Sequence, residues 1–158
     1  MFTFSCTAYK DKESIPPRFT HHSVKGKNVS PGFAWSGGPV ETKSFVLSII
    51  DPHPVANNWI HWMVVDIPFN AREIPEAASN TERMPRGARE LLNTYGEQGY
   101  GGPAPPKGSG PHPYVATLYA LNIEKLPLPR ESSLRQFQSA IAGKILDQVV
   151  MTGYFERT

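Results

Sequence analysis

Proline and glycine constrain this chain more than any other feature of its sequence. The 158 residues include 16 prolines and 13 glycines. Proline removes a backbone donor and glycine is costly inside regular elements, so a chain this rich in both must turn often. The sequence therefore favours a mainly β fold with many turns and little long helix.

Five segments have the alternation and the β-branched or aromatic content of strands. They are Met1–Cys6, Ser44–Ile50, Ile60–Ile67, Tyr114–Leu121 and Val149–Phe155. Both faces of Ile60–Ile67 are largely apolar, which predicts a strand that is buried on both sides. Asp51 directly follows the second strand, one step beyond its last apolar residue, and we expect its side chain at a rim.

One segment predicts a helix. Ser133 and Gln136 form a capping-box pattern, and Leu134, Phe137, Ile141 and Ile145 recur at helical spacing, with Gly143 either interrupting or ending the helix. We expect a short structural helix near the C-terminus, packed on a sheet edge. Residues 68–113 show no convincing strand, and their prolines favour an ordered loop that carries function.

Length and charge narrow the class of protein. The chain matches one ordinary domain, residues 1–158. A formal charge of +2 gives no reason to expect nucleic-acid binding, and no apolar run is long enough to span a membrane.

Cys6 is the only cysteine, so we expect no intrachain disulfide and a reducing, cytoplasmic location. We expect Arg83, Arg86 and Arg89 in a solvated loop or short helix, and His21 and His22 on the surface.

Three polar segments stand at predicted strand ends. They are Asp51-Pro52-His53-Pro54, Trp59-Ile60-His61-Trp62, and a glycine- and proline-rich loop that ends in His112-Pro113-Tyr114. Each places an ionisable group beside aromatic rings, as the mouth of a pocket often does. Spacing alone does not bring the segments together. Taken singly, His61 could be a buried core histidine, His112 a loop histidine, and Asp51 a cap on the Pro52 turn.

The same segments resemble the phosphatidylethanolamine-binding protein family, also called Raf-kinase-inhibitor-like proteins, in its bacterial and archaeal branch. The resemblance is carried by D-P, W-x-H-W and P-P-x-G-x-G-x-H-x-Y, with support from Gly99-Tyr100-Gly101-Gly102-Pro103 and Gly153-Tyr154. It implies a β-sandwich-like Greek-key arrangement of antiparallel sheets. It also implies a shallow pocket for phosphate, phosphorylated head groups or acetate. Position by position, the implied pocket residues are Asp51, His61, Pro106, His112 and Tyr114, with Trp59 and Tyr100 as wall residues.

His53 departs from the pattern of the family, which commonly has a second acid two positions after the first. Exchanging an acid for histidine makes the mouth of the pocket more positive. We therefore expect a preference for anions over zwitterionic ethanolamine head groups.

The expected function is non-enzymatic binding of a small anionic ligand, with no cofactor. We also expect regulation of a kinase or protease partner, and the chain could form a homodimer. The alternative is a hydrolase of phosphomonoesters or esters in which Asp51, His61 and His112 are the acid–base groups. Zinc held by His53, His61, His112 and Asp51 is chemically conceivable, but no compact ligand motif supports it. Cys6 and Ser109 are candidate nucleophiles outside any recognised nucleophile motif.

Overall fold

A computed structural model describes the whole chain, Met1–Thr158, as two antiparallel sheets and one α-helix. The strands are β1 (Thr3–Cys6), β2 (Phe33–Ser36), β3 (Ser44–Asp51), β4 (Trp59–Pro68), β5 (Glu73–Ile74), β6 (Arg89–Glu90), β7 (His112–Leu121) and β8 (Ile145–Phe155), and the helix is α1 (Leu134–Ile141). Two short 3-10 turns lie at Pro17–Phe19 and His22–Val24. The predicted mainly β class is confirmed.

The larger sheet has the strand order β6-β4-β3-β7-β8, and the smaller sheet has the order β1-β2-β5. Central strand β3 pairs with β4 on one edge and with β7 on the other, so that Ile49 lies opposite both Trp62 and Ala116. The long connection after β4 therefore returns the chain to the far edge of β3. This return is the kind of crossing that a Greek-key arrangement requires.

Apolar groups cover both faces of the larger sheet. One face packs against the smaller sheet, where Phe45, Leu47 and Trp62 join Phe33 and the other residues of the main core. The opposite face packs Val46, Met63 and Val65 against the helix. Cover on both faces explains why β3 and β4 are largely apolar on both sides. The helix thus lies on a face of the sheet, and the prediction that it packs on an edge was wrong.

The capping box of α1 is confirmed, and of the two alternatives for Gly143 the structure shows the end of the helix. The Ser133 hydroxyl accepts from the Gln136 N–H at 3.1 Å, and the Gln136 side chain accepts from the Ser133 N–H at 2.8 Å. The helix ends at Ile141, and Gly143 follows with a φ of +76°. This left-handed residue turns the chain into β8, so Ile145 belongs to that strand despite its helical spacing.

Three strands escaped the sequence patterns. The strand β2 has four residues, and β5 and β6 have two each, which is too short for alternation to be read. The last two lie within residues 68–113, so the prediction of a loop without strands was wrong there. No helix in the structure is both long enough and apolar enough to cross a membrane.

A bulge in β4 places the buried carboxylate of Asp66 in an ion pair with the half-buried side chain of Arg89. Asp66 has a φ of +58°, and its carboxylate accepts from Arg89 Nε at 2.7 Å and from the Leu126 N–H at 2.8 Å. Arg89 also donates to the carbonyls of Leu126 and Leu128. Arg89 therefore lies in β6 and joins this strand to β4 and to residues 126–128. The expectation that it sits in a solvated loop or short helix was wrong.

We predict that Asp66→Ala lowers the free energy of unfolding by about 2 kcal/mol, because it leaves the buried Leu126 N–H without its acceptor and removes the partner of the half-exposed Arg89 side chain. Urea unfolding followed by tryptophan fluorescence measures the change. Glu131→Ala is the control, because the Arg130–Glu131 pair is more than half exposed and such pairs contribute at most about 1 kcal/mol. Equal losses in the two variants would contradict a structural role for Asp66.

Candidate ligand-binding site

Three strand ends meet at one end of the larger sheet. Asp51 ends β3 and pairs with Trp59 at the start of β4, while Ile50 pairs with Val115 near the start of β7. Antiparallel neighbours run in opposite directions, so the end of one strand lies beside the beginnings of the other two. The strand pairing thus supplies the convergence that spacing along the sequence did not.

These strand ends and two loops enclose a cavity of about 180 Å³. It is lined by Asp51, Val55, Ala56, Trp59, His61, Tyr95, Ala104, Pro105, Pro106, His112 and Tyr114. Apolar walls with a few polar groups are the usual construction of small-molecule sites, which range from roughly 300 to 1,000 Å³. This cavity is smaller, so it suits a head group or another small fragment.

Asp51 lies in the floor of the cavity. The expectation that its side chain sits at a rim was wrong. Its Oδ2 accepts from His112 Nδ1 at 2.6 Å, and its Oδ1 accepts from the His53 N–H at 2.9 Å. The side chains of Asp51 and His112 are only 3% and 1% exposed. Both carboxylate oxygens therefore have donors, as a buried charge requires.

Ser109 is within hydrogen-bonding distance of two residues that line the cavity. Its Oγ lies 2.9 Å from His112 Nε2 and 2.7 Å from the Pro106 carbonyl oxygen. The hydroxyl has one proton, which it donates either to Pro106 or to His112. In the first case Nε2 must carry a proton and donate to Oγ, which makes His112 an imidazolium. In the second case His112 is neutral.

The protonation state of His61 follows from its hydrogen bonds. A carbonyl oxygen only accepts, so His61 Nδ1, at 2.7 Å from the Gly101 oxygen, must carry the proton. The Gly101 N–H in turn donates to the His61 carbonyl at 2.8 Å. Burial lowers the pKa of His61 to about 4, although both the Gly101 carbonyl and Asp51 oppose the shift. His61 is therefore neutral at pH 7, and its Nε2 has a free lone pair.

Tyr114 adds a hydroxyl donor to the cavity. Its ring lies edge-on to His61, with 5.0 Å between the ring centroids. Burial, and then the charge of Asp51, raises the pKa of the phenol well above its usual range, so the hydroxyl stays protonated. The Tyr114 hydroxyl forms no hydrogen bond within the protein, and the residue lines the cavity, so its O–H is free to bind a ligand.

His53 does not line the cavity and acts on it through His112. The two imidazole rings are stacked, with centroids 3.8 Å apart and an angle of 6° between their planes. His53 Nδ1 accepts from the Val55 N–H at 3.1 Å, so this nitrogen carries no proton and the ring is neutral in this arrangement.

Tyr95 forms the wall that had been expected from Tyr100. The Tyr100 hydroxyl donates to the Phe19 carbonyl at 2.7 Å and its ring packs on Trp62, so this side chain belongs to the core. Tyr95 lines the cavity and stacks on His21, with centroids 4.0 Å apart. This stacking leaves His21 partly exposed, while His22 is exposed. Both tyrosines are in an irregular loop that has no repeating pattern of apolar residues, so the sequence does not show which side chain points into the cavity.

The loop that carries Tyr95 requires glycine where it passes other chain segments. A Cβ on Gly102 would lie 2.0 Å from the Phe19 carbonyl oxygen, and one on Gly101 would lie 2.5 Å from the Tyr95 ring. The Tyr95 hydroxyl donates to the Gly102 carbonyl at 2.7 Å. Close backbone approach thus fixes the carbonyl that orients His61.

The candidate metal ligands and the candidate cysteine nucleophile do not form sites of their own. The structure has no group of three or more His, Cys, Asp or Glu residues placed to hold a metal ion. His61 and His112 each use Nδ1 in a bond within the protein. Cys6 lies in β1, and burial raises the pKa of its thiol, which disfavours the reactive thiolate.

Comparison with known proteins identifies the family. The sequence model of the phosphatidylethanolamine-binding protein family matches residues 5–156, and the chain therefore belongs to that family. A UPF0098 protein of Aquifex aeolicus is 37% identical over 150 residues, which are 95% of this chain and 85% of the relative. The crystal structure of Escherichia coli YbcL, described as a member of the mammalian family, has a TM-score of 0.93 at 31% identity and covers 99% of both chains.

A more distant neighbour shares the fold alone. The carboxypeptidase Y inhibitor, solved in complex with its cognate proteinase, has a TM-score of 0.59 at 18% identity and covers 99% of this chain and 83% of its own. The names of these relatives describe binding or inhibition, or describe no activity. LppC of Mycobacterium tuberculosis, 35% identical over 98% of this chain and 70% of its own, is named as a lipoprotein, so a cytoplasmic location stays a prediction.

We predict that His61 makes stability depend on pH. Its folded pKa of about 4 lies below the unfolded value of 6.5, so the unfolded chain binds the proton more readily. The contribution of His61 is therefore present above pH 6.5 and is lost as pH falls to 4, by up to about 3 kcal/mol. Urea unfolding at several pH values measures it.

The His61→Gln variant should lose less stability than the wild type between pH 6.5 and 4, because glutamine does not titrate and its amide N–H can still donate to Gly101. His22→Gln is the control, since His22 is exposed and should leave the profile unchanged. A wild-type profile in His61→Gln would show that another group is responsible.

Proposed function

We propose that the pocket binds a small phosphorylated ligand through a singly protonated, monoanionic phosphate group. The observation that carries this proposal is the pairing of a free donor with a free acceptor in one cavity. Tyr114 offers an O–H, and neutral His61 offers the lone pair of Nε2. A monoanionic phosphate has both the oxygen that accepts from Tyr114 and the hydroxyl that donates to His61.

The protonation state of the ligand follows from the charges around it. A dianion would have no proton for His61 Nε2 and would face the buried carboxylate of Asp51 with a second negative charge. Phosphate esters lose their second proton at a pKa of about 6. Affinity should therefore decline as pH rises above this value. Acetate, which has no proton to donate, should bind more weakly than phosphate.

The small number of hydrogen bonds that the cavity offers limits the affinity of a bare phosphate. Hydrogen bonds to charged groups contribute roughly 1.5–3 kcal/mol each, and after the cost of association two of them give binding in roughly the millimolar range. A larger ligand can add contact area at the mouth, where Val55 is 59% exposed and Pro106 is also exposed.

A protein segment that presents an anionic side chain would use the same mouth, and we propose a kinase or protease as the partner. The exposed Val55 next to the polar floor supports this extension, and inhibition of a protease by the carboxypeptidase Y inhibitor is a precedent within the fold. A cytoplasmic setting and a homodimer are further parts of the proposal.

The alternative of a hydrolase with Asp51, His61 and His112 as its acid–base groups has less support. His61 is bonded to Gly101 and makes no hydrogen bond to Asp51 or His112. Its low pKa also keeps it from acting as a general acid near pH 7.

We predict that Tyr114→Phe weakens the binding of inorganic phosphate at pH 6 about tenfold, because it removes one hydrogen bond to a charged group and keeps the ring. Histidine and tyrosine side-chain signals in an NMR titration measure the dissociation constant. Tyr119→Phe is the control, since Tyr119 is on the same strand but packs against the helix on the other face. Unchanged affinity in Tyr114→Phe, or tighter binding at pH 8 than at pH 6, would refute the proposed mode.

The charge at the mouth is tested separately at His53. We predict that His53→Asp weakens phosphate binding several-fold and phosphoethanolamine binding less, because the new carboxylate repels phosphate but attracts the ammonium. His53→Asn, which has nearly the same shape without the charge, should show little change in the ratio of the two affinities. Equal ratios in His53→Asp and His53→Asn would show that this position does not select by charge.

A further inference from the structure

Three side chains form one continuous hydrogen-bonded chain: Ser109 and His112, which are three residues apart, and the distant Asp51. Ser109 Oγ lies 2.9 Å from His112 Nε2, and His112 Nδ1 lies 2.6 Å from Asp51 Oδ2. A hydroxyl, an imidazole and a carboxylate in this order are the arrangement in which a base activates a nucleophile and a carboxylate orients the base.

The surroundings hold the base and the carboxylate rigidly. Asp51 Oδ1 accepts from the His53 N–H, and the His53 ring stacks on His112. Both Asp51 and His112 are almost fully buried, so their geometry is set by packing. Ser109 is partly exposed and contacts Pro106 and His112, which line the cavity, so the hydroxyl stands next to the space where a small substrate would bind.

We propose that Ser109 is a catalytic nucleophile for acyl transfer from small carboxylic esters, with His112 as its base and Asp51 as the residue that orients His112. This proposal goes beyond ligand binding. It shares Asp51 and His112 with the acid–base hydrolase but assigns the attack on the substrate to Ser109. His61 has no part in it.

The reaction balances with water as the only co-reactant. Ser109 Oγ bonds to the ester carbonyl carbon while its proton passes to His112 Nε2. The bond from carbon to the leaving oxygen then breaks, and the alcohol departs with that proton. Water next attacks the acylated Ser109, gives a proton to His112, and releases the carboxylic acid as the proton returns to Oγ. The free O–H of Tyr114, whose ring centroid is 6.4 Å from that of His112, is a donor for the charge on the carbonyl oxygen.

A second serine and histidine pair on the surface provides a matched comparison. Ser23 Oγ lies 2.8 Å from His21 Nδ1, and His21 Nε2 lies 3.4 Å from Glu97, whose side chain is 62% exposed. The Ser23 N–H also donates to Nδ1, so this lone pair is already shared. The pair has the same residue types, but its carboxylate is exposed and the Nδ1 lone pair of its histidine already accepts from a backbone N–H.

A fluorophosphonate probe with a small alkyl group tests the proposal, because it replaces its fluoride with a serine oxygen only when that oxygen is activated. Intact mass and peptide mapping locate the label, and release of p-nitrophenol from p-nitrophenyl acetate gives the rate of turnover. The variants are Ser109→Ala, His112→Gln, Asp51→Asn and the control Ser23→Ala. Thermal unfolding checks that each variant is folded, and urea-unfolded wild type gives the background.

The expected result is a label on Ser109 in the folded wild type and in Ser23→Ala, and none in the unfolded chain. Labelling of Ser109 should be roughly a hundredfold slower or more in His112→Gln and in Asp51→Asn, and p-nitrophenol release should fall to background in Ser109→Ala. The proposal is overturned if folded wild type carries no label on Ser109. It is also overturned if His112→Gln labels as fast, or if release is the same in Ser109→Ala as in wild type.

Discussion

The pairing of β3 on both of its edges is the constraint on which the site depends. Because β4 and β7 both run antiparallel to β3, the end of β3 lies beside the start of each neighbour. Asp51, His61 and His112 then share one end of the sheet although the loops between them differ greatly in length. A one-residue slip of β3 would exchange the side chains that pack in the main core, such as Leu47, with those that pack against the helix, such as Val46. The packing of both faces therefore fixes the register of the pocket.

Burial then decides what the polar groups of the pocket can do. A carboxylate in this position needs donors, and Asp51 obtains them from His112 and from the backbone of His53. The same demand fixes His61, whose proton must point at Gly101 because that carbonyl has nothing to donate. The pocket is therefore not a simple positive patch. It combines one buried negative charge with a neutral imidazole acceptor and a phenol donor, which explains why the proposed ligand must carry a proton.

The sequence predicted the main strands, the capping box and the family, because these depend on short-range patterns. The burial of Asp51, the role of Tyr95 and the place of Ile145 depend instead on where loops fold back. Asp51 was expected at a rim because the sequence pattern predicted only its strand. The conformation of the loop that follows and covers it could not be predicted. Tyr95 and Tyr100 are both in an irregular segment, and the hydrogen bonds from Tyr100 to Phe19 and from Tyr95 to Gly102 hold the two rings in their different places. The bond from Ser109 to His112 likewise depends on a loop conformation that no period encodes.

The position of the proton between Ser109 and His112 links the two proposed properties of the pocket, anion binding and nucleophilic attack by Ser109. When Ser109 donates to Pro106, His112 is an imidazolium, its charge cancels that of Asp51, and the pocket accepts an anion at the smallest electrostatic cost. When Ser109 donates to His112, the pair carries one net negative charge, and the hydroxyl is ready to be deprotonated as it attacks. These two states differ by one proton and exclude each other. A bound phosphate favours the first state by linkage, and so it withdraws Ser109 from the base that would activate it. Anion binding and serine chemistry are thus opposed within the same few side chains.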